Sequence, residues 1–104
     1  MVVRNHILLR KYNNIIVMNN HSPKLYTVNE ALSHRITELL KQKGMTRYKL
    51  AMQSGISHST LKNIIHETVK DNLLSTTILI ASGFDMTVSE FLDSEYFAEE
   101  NLII

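Results

Sequence analysis

Hydrophobic residues recur every three or four positions from residue 27 onward, which is the spacing of an amphipathic helix. Thr27-x-x-Glu30 predicts a capping box, the reciprocal pair of hydrogen bonds that begins many helices. Gly44 predicts the end of the helix, because glycine readily takes the left-handed conformation found there. The inward stripe is predicted to contain Val28, Ala31, Leu32, Ile36, Leu39 and Leu40. The pattern therefore predicts a first helix over residues 27–43.

Two short helices separated by a tight turn are predicted next. Thr46 can cap the first of them, which runs to about Gln53, and Gly55 lies in the turn. Ser57 can cap the second, which runs through residues 57–65. Ile56 and Leu61 are placed to form a hydrophobic staple across its N-terminus.

A polar loop and two further helices complete the predicted elements. The fourth helix covers about residues 75–82, is predicted to end at Gly83, and is predicted to turn Ile78, Leu79 and Ala81 inward. The capping box Thr87-x-x-Glu90 predicts a short fifth helix that contains Val88, Phe91 and Leu92. We therefore expect an all-α domain over residues 27–93.

The segments before and after this domain show no clear hydrophobic periodicity. Residues 1–26 have no clear period, and their apolar runs at residues 7–9 and 15–17 can form a strand, an additional helix or an upstream extension that precedes a start at Met18. They lack the uninterrupted apolar region and the cleavage site of a signal peptide. We expect an N-terminal extension of uncertain structure at residues 1–26 and an acidic, apolar C-terminal tail at residues 94–104. No apolar run approaches the ~20 residues that a membrane span needs.

Composition and charge narrow the class of protein. A chain of 104 residues predicts one domain, and the absence of cysteine excludes disulfides and cysteine-ligated zinc and fits a cytoplasmic setting. The net charge of +1 conceals an uneven distribution. Residues 1–70 carry all eleven basic residues and three Glu, a net charge of +8, whereas residues 71–104 carry seven acidic residues and no basic one. This asymmetry favours a polyanionic partner for the basic part.

The segment from Arg47 to Ile64 carries the functional pattern. Ala51 is small enough to let two helices approach closely, Gly55 permits a positive φ in the turn, and Ser57 caps the incoming helix. The wedge between the helices is filled by Leu50, Ile56, Leu61 and Ile64.

This segment resembles the helix-turn-helix of the Cro and phage-repressor family, also called XRE-like. Leu-Ala, Ser-Gly-Ile-Ser, Thr-Leu and Ile-Ile stand at the family's spacing, and the flanking helices extend the resemblance over about residues 27–93. The resemblance implies a compact five-helix, repressor-like DNA-binding domain whose helix-turn-helix spans about residues 46–65. It also implies that helix 57–65 enters the major groove of DNA.

The outer side of that helix carries a stripe of polar residues. The resemblance implies base contacts by His58, Ser59, Lys62 and Asn63. Asn63 can bond the N6 and N7 edge of adenine, and Lys62 can reach guanine or a phosphate. Contacts to phosphates are expected from Thr46, Arg47, Tyr48, His66 and Lys70. An ordinary solvated helix face is the alternative for the stripe, and a partly buried position is the alternative for Tyr48.

The sequence gives little support for an enzymatic function, and we expect no enzyme, no cofactor and no metal. His66-Glu67 lacks the second histidine of a zinc-protease helix, because position 70 is lysine. Ser57, His58 and Ser59 are adjacent on a helix and point in different directions, and no orienting acid is evident.

The sequence therefore predicts a sequence-specific, double-stranded DNA-binding transcription regulator, a repressor that acts as a homodimer. The candidate dimer surface comprises Phe84, Met86, Phe91, Tyr96, Phe97, Leu102, Ile103 and Ile104. A tail that folds back on its own core is the alternative to this surface. The rival function is an antitoxin-like or partner-binding interaction module on the same fold. A binder of RNA or single strands is disfavoured, since no run of aromatic residues is available to stack bases.

Overall fold

Five α-helices make up most of the part of the chain that the computed structural model describes, residues 25–104. They are α1 (Val28–Lys43), α2 (Arg47–Ser54), α3 (His58–Ile65), α4 (Leu74–Gly83) and α5 (Val88–Leu92). Two short 3₁₀ turns and two two-residue strands, β1 (Tyr26–Thr27) and β2 (Leu102–Ile103), complete the elements. The prediction of an all-α, five-helix fold is confirmed, and the predictions for residues 1–24 lie outside the described residues. No helix within residues 25–104 has the length and hydropathy to cross a membrane.

Hydroxyl side chains begin four of the five helices, as the sequence predicts. The side-chain oxygens of Thr27, Thr46, Ser57 and Thr87 each accept a hydrogen bond from the amide three residues later. At Thr27 and Thr87 the glutamate three residues later also accepts from the cap amide, at 2.9 Å in both cases, which closes both capping boxes. Helix α4 differs, because it begins at Leu74 without a side-chain cap.

One backbone arrangement ends each of the first four helices. A residue with a positive φ of 59–73° stands first after α1 and α2 and second after α3 and α4. Its amide bonds the carbonyl three residues back, and the following amide bonds the carbonyl five residues back. The residues with positive φ are Gly44, Gly55, Glu67 and Asp85. The two glycines were predicted in these positions; the glutamate and the aspartate were not.

Gly83 does not end α4, so that prediction is wrong. The helix includes Gly83, and the chain changes direction at Asp85, which has a positive φ. Glycine is required at position 83 for a different reason, because a Cβ there would overlap Ser54 Oγ and lie 3.1 Å from Leu50 Cδ1. Gly83 therefore allows α4 to lie close against α2.

The core lies between α1, α2, α3 and α4, and α5 closes one side of it. Its fully buried side chains include Ile36, Leu50, Leu61, Ile64, Ile80, Phe84 and Phe91. Two predicted inward residues of α4 are instead exposed, Ile78 at 46% and Leu79 at 44%. Thr77, Ile80 and Ala81 form the buried side. Because α4 is apolar on all sides, its sequence pattern does not distinguish the inward face.

The C-terminal tail folds back on the helices. Strand β2 pairs in parallel with β1, with Tyr26 opposite Leu102 and Thr27 opposite Ile103. The ring of Tyr96 stacks on His34 with centroids 5.3 Å apart, and Tyr26 meets both rings edge-on. The alternative of a folded-back tail is the one that the structure adopts.

This packing corrects the predicted dimer surface. Phe84, Phe91 and Leu102 are buried in the chain's own core, and Met86, Tyr96 and Phe97 are half-buried against it. Only Ile103 and Ile104 of the predicted set are exposed. The local pattern of apolar residues in the tail does not reveal a pairing that joins residues 26 and 102.

Arg35 joins α1 to the end of α5. Its Nε donates to the Phe91 carbonyl at 2.7 Å and its Nη2 to the Glu90 carbonyl at 3.1 Å. Its Nη1 pairs with Glu38 Oε1 at 2.7 Å, and only 11% of the side chain is exposed. Although Arg35 is outside the predicted apolar stripe, its positive charge stabilises a helix C-terminus within the fold.

Candidate nucleic-acid interface

The turn between α2 and α3 is fixed by its own backbone and by the residues beneath it. Gly55 has a φ of 73°, and the Ile56 amide bonds the Ala51 carbonyl at 3.2 Å. Leu50, Ala51 and Leu61 are buried between the two helices. The two helices therefore meet through a small residue and a wedge of aliphatic side chains, as predicted.

Helix α3 is also held at both ends. At its start Ser57 Oγ accepts from the Thr60 amide at 3.0 Å. At its end the buried Ser33 hydroxyl of α1 donates to the Ile65 carbonyl, and the Asn63 carbonyl accepts from the Thr68 amide at 2.9 Å. The apolar side of α3 is thereby fixed to the core, and its opposite side faces outward.

The outward side of α3 carries the predicted polar stripe. Each residue of this stripe is exposed: His58, Ser59, Lys62, Asn63 and His66. Within residues 25–104 the side-chain amide of Asn63 makes no hydrogen bond. Its donor and acceptor are thus both available to an external ligand.

Two predicted phosphate-contacting residues meet although they lie 19 positions apart. Arg47 Nη1 is 3.4 Å from His66 Nε2, which brings the first turn of α2 next to the end of α3. His66 directly follows the last residue of α3, and the chain reverses after it at Glu67, whose φ is 60°. Both side chains are exposed. Because a guanidinium can only donate, Arg47 Nη1 donates to His66 Nε2 in this contact, and the other N–H groups of Arg47 remain for an external acceptor.

Thr46 and Tyr48 lie beside this pair. Thr46 Oγ1 accepts from the Lys49 amide at 3.1 Å, which leaves its own hydroxyl proton free to be donated. Tyr48 is 65% exposed, so the alternative of a partly buried tyrosine is wrong. Its ring lies 6.4 Å from that of His58, centroid to centroid.

Lys70 lies on a loop that is tied to α1 by a residue that sequence reasoning missed. Asn29 Nδ2 donates to the Val69 carbonyl at 2.9 Å and approaches the Lys70 carbonyl at 3.4 Å. Asn72 Nδ2 donates in turn to Asn29 Oδ1 at 2.6 Å. Asn29 has no sequence signal for this role, because a polar residue in the first turn of a helix is unremarkable. The contacts hold Lys70 exposed on the loop that follows α3.

The surface around α3 is basic and its charges are not neutralised by neighbours. Residues 46–66 contain Arg47, Lys49 and Lys62 and no acidic residue. Within residues 25–104 the one ion pair joins Arg35 and Glu38, away from these residues. An uncompensated positive surface attracts polyanions over a distance set by the ionic strength.

A family comparison assigns this arrangement to a class of DNA-binding domains. The family model of the Cro/C1-type HTH DNA-binding domain matches residues 35–95, which include all nine candidate contact residues. The chain belongs to this family, and the predicted resemblance is confirmed. A comparison with curated proteins gave no match. The protein is therefore a helix-turn-helix DNA-binding protein of the transcription-regulator class, a class that is typically not enzymatic.

Proposed function

We propose that the protein is a sequence-specific, double-stranded DNA-binding repressor that inserts α3 into the major groove. The observation that carries this proposal is the outward face of α3. It combines free hydrogen-bonding side chains with exposed cations, and no carboxylate lies between residues 46 and 66. Base edges in the major groove are read by such groups, and phosphates are bound by the cations around them.

Base reading is assigned to His58, Ser59, Lys62 and Asn63. The Asn63 amide has the donor and acceptor that match adenine N7 and N6, and it is free of other hydrogen bonds within the described residues. Ser59 and His58 occupy the first turn of α3, the end that goes deepest into the groove in helix-turn-helix proteins. Lys62 lies one position before Asn63 and can donate to guanine O6 or N7.

Phosphate contacts on one flank of α3 are assigned to Thr46, Arg47, Tyr48 and His66. Arg47 and His66 are already adjacent, and a phosphate oxygen that replaces their mutual contact can accept from both. The free backbone amides at the start of α2 add to this site. Lys70, whose loop is held by Asn29, is assigned to a further phosphate.

We further propose that the protein acts in the cytoplasm as a homodimer and represses by occupying its site. One chain presents a single α3, and symmetric half-sites centred about 34–36 Å apart need two. A small domain bound across a promoter blocks polymerase without a further contact. The acidic residues after Asp71 orient the complex, because they are repelled by phosphates.

Selection of bound fragments from random duplex DNA tests the proposal. The full chain should enrich one motif, and mobility-shift titration should show tighter binding to that motif than to a scrambled duplex. Binding without enrichment would contradict sequence-specific reading. No binding to any duplex at micromolar protein and low salt would contradict the whole proposal and favour the partner-binding alternative.

A further inference from the structure

Helix α4 has an exposed apolar side in addition to its buried one. Its ten residues contain no charged side chain. Leu74 is 66% exposed, and Leu73 immediately before the helix is 70% exposed. A surface helix normally presents polar residues to water, and a contiguous apolar side that faces outward indicates a binding partner.

The exposed residues form a defined surface. Leu74, Ile78 and Ser82 follow one another at intervals of four and make one ridge, and Ser75 and Leu79 make the neighbouring ridge. All five are exposed, and together they are called the α4 face. Ridges at this interval pack into the grooves of an identical helix.

We propose that the α4 face is the surface through which two copies of this chain associate around a two-fold axis. A surface on such an axis meets itself, so any charge that it carries near the axis faces the same charge. The residues before it are mainly basic and those after Asp85 are acidic, whereas residues 72–84 carry no charge at all. The α4 face is thus an apolar surface that can face its own copy without repulsion.

The position of α4 explains why a second copy is the partner. The helix begins directly after the loop that holds His66 and Lys70, so the first turn of α4 follows within a few residues the groups that we assign to DNA phosphates. Five residues are few beside the roughly 20–30 residues a side of a standard interface. We therefore expect weak association in solution that becomes strong on a duplex with two half-sites, and this part of the inference rests on the proposed function.

Crosslinking tests the surface directly, because the chain contains no cysteine. Ser75→Cys and Ser82→Cys place a thiol on the α4 face, and Ser89→Cys places one at an exposed position of α5 as the matched control. With a short bismaleimide, one or both α4 variants should form a covalent dimer, more rapidly when duplex is present. The control should stay monomeric. Equal crosslinking of all three, or none in either α4 variant with and without DNA, would overturn the proposal.

Introducing a charge on the α4 face tests how much this face contributes to the association of two copies. Ile78→Glu should raise the dimer dissociation constant by at least about 30-fold, since two carboxylates would face each other. Ile104→Glu, the same change at an exposed position in the tail, should leave association unchanged, and an equal loss there would overturn the proposal. Circular dichroism checks folding, and Leu79→Glu replaces the first variant if it does not fold.

The two proposals fail in distinguishable ways. Ile78→Glu should bind a single half-site as well as the unaltered chain does and should lose only the cooperative gain on two half-sites. If the unaltered chain binds no duplex, DNA binding is contradicted. Sedimentation of the free protein and crosslinking without DNA then show whether two copies associate through the α4 face. If Ile78→Glu has no effect on that association, the α4 proposal is overturned.

Discussion

Arg47 on α2 and His66 at the end of α3 lie 3.4 Å apart, Nη1 to Nε2, although 18 residues separate them in the chain. The contact exists because the turn at Gly55 brings the two helices together and His66 directly follows the last residue of α3. An arginine of α2 and the histidine that follows α3 therefore meet at one point at the edge of the α3 face. This point is where we place a phosphate.

Arg47→Ala should weaken binding to all DNA sequences to a similar extent. The loss of one phosphate contact lowers the slope of log K against log salt concentration by about one unit. Lys49→Ala removes the same charge from an exposed position on the same helix and should leave the slope nearly unchanged. Fluorescence anisotropy titrations across a series of salt concentrations measure both slopes. An unaltered slope for Arg47→Ala would remove it from the phosphate contacts.

Asn63→Ala should affect cognate DNA selectively. Loss of the paired hydrogen bonds to a base should cost about 1–3 kcal/mol on the selected motif and little on random duplex. Gln53→Ala truncates an exposed amide side chain on α2, outside the α3 face, and should leave both affinities unchanged. The comparison requires mobility-shift titrations on both duplexes. Equal losses on the two would show that Asn63 does not read a base.

Arg35→Ala should destabilise the fold although the residue is not one of the proposed DNA contacts. The substitution leaves the carbonyls of Glu90 and Phe91 without their charged donor, which should cost about 2–3 kcal/mol of unfolding free energy. Arg35→Lys should restore only part of this, because one ammonium does not replace a fork of donors. Urea unfolding measures these values, with the exposed Lys41→Ala as control. Full stability of Arg35→Lys would show that charge alone suffices.

Local signals in the sequence predicted the starts of four helices and the helix-turn-helix. A hydroxyl cap acts within three residues, and Gly55 supplies its own conformation, so neither depends on the rest of the fold. The outward position of the polar stripe on α3 was predicted for the same reason, because it lies opposite Leu61 and Ile64, which face inward. The contact roles of its residues come from the family resemblance and stay a prediction.

Long-range packing determined what the sequence did not predict. Arg35 and Asn29 look like surface residues in α1, and their partners lie about 55 and 40 residues away. The inward face of α4 is chosen by the approach of Gly83 to Ser54, since both sides of the helix are apolar. The tail folds back on the helices because β2 pairs with a strand at the other end of the domain.

Acidification should weaken the start of α1. The hydrogen bonds from the amide and side chain of Thr27 hold the pKa of Glu30 below its usual value of 4.5. A lowered pKa in the folded state means that the ionised group contributes stability above pH 4.5, and that this contribution is lost as the pH falls through the folded pKa. Glu30→Gln should therefore be less stable than the unaltered chain at pH 7 and nearly equal to it at low pH. Thermal unfolding across this range measures the difference, and a gap independent of pH would contradict the role of the carboxylate.

Ser54→Ala should make the protein more stable. The Ser54 hydroxyl is buried against α4 and, among the described residues, it alone has a buried side-chain oxygen or nitrogen without a hydrogen-bond partner. Its removal relieves an unsatisfied polar group and should add about 1 kcal/mol to the unfolding free energy. Gly83→Ala should do the opposite and cost about 1–3 kcal/mol, because the new Cβ overlaps Ser54 Oγ.

Combining the two substitutions tests whether this contact sets the spacing of α2 and α4. With Ser54→Ala present, Gly83→Ala should cost less by at least about 0.5 kcal/mol, since the overlapping oxygen is gone. Some cost should remain, because the Ser54 Cβ would still lie 3.1 Å from the new methyl group. Ser82→Ala, at the exposed neighbouring position, should change stability by less than about 0.5 kcal/mol. Strictly additive effects in urea unfolding would show that Gly83 is required for a reason other than its approach to Ser54.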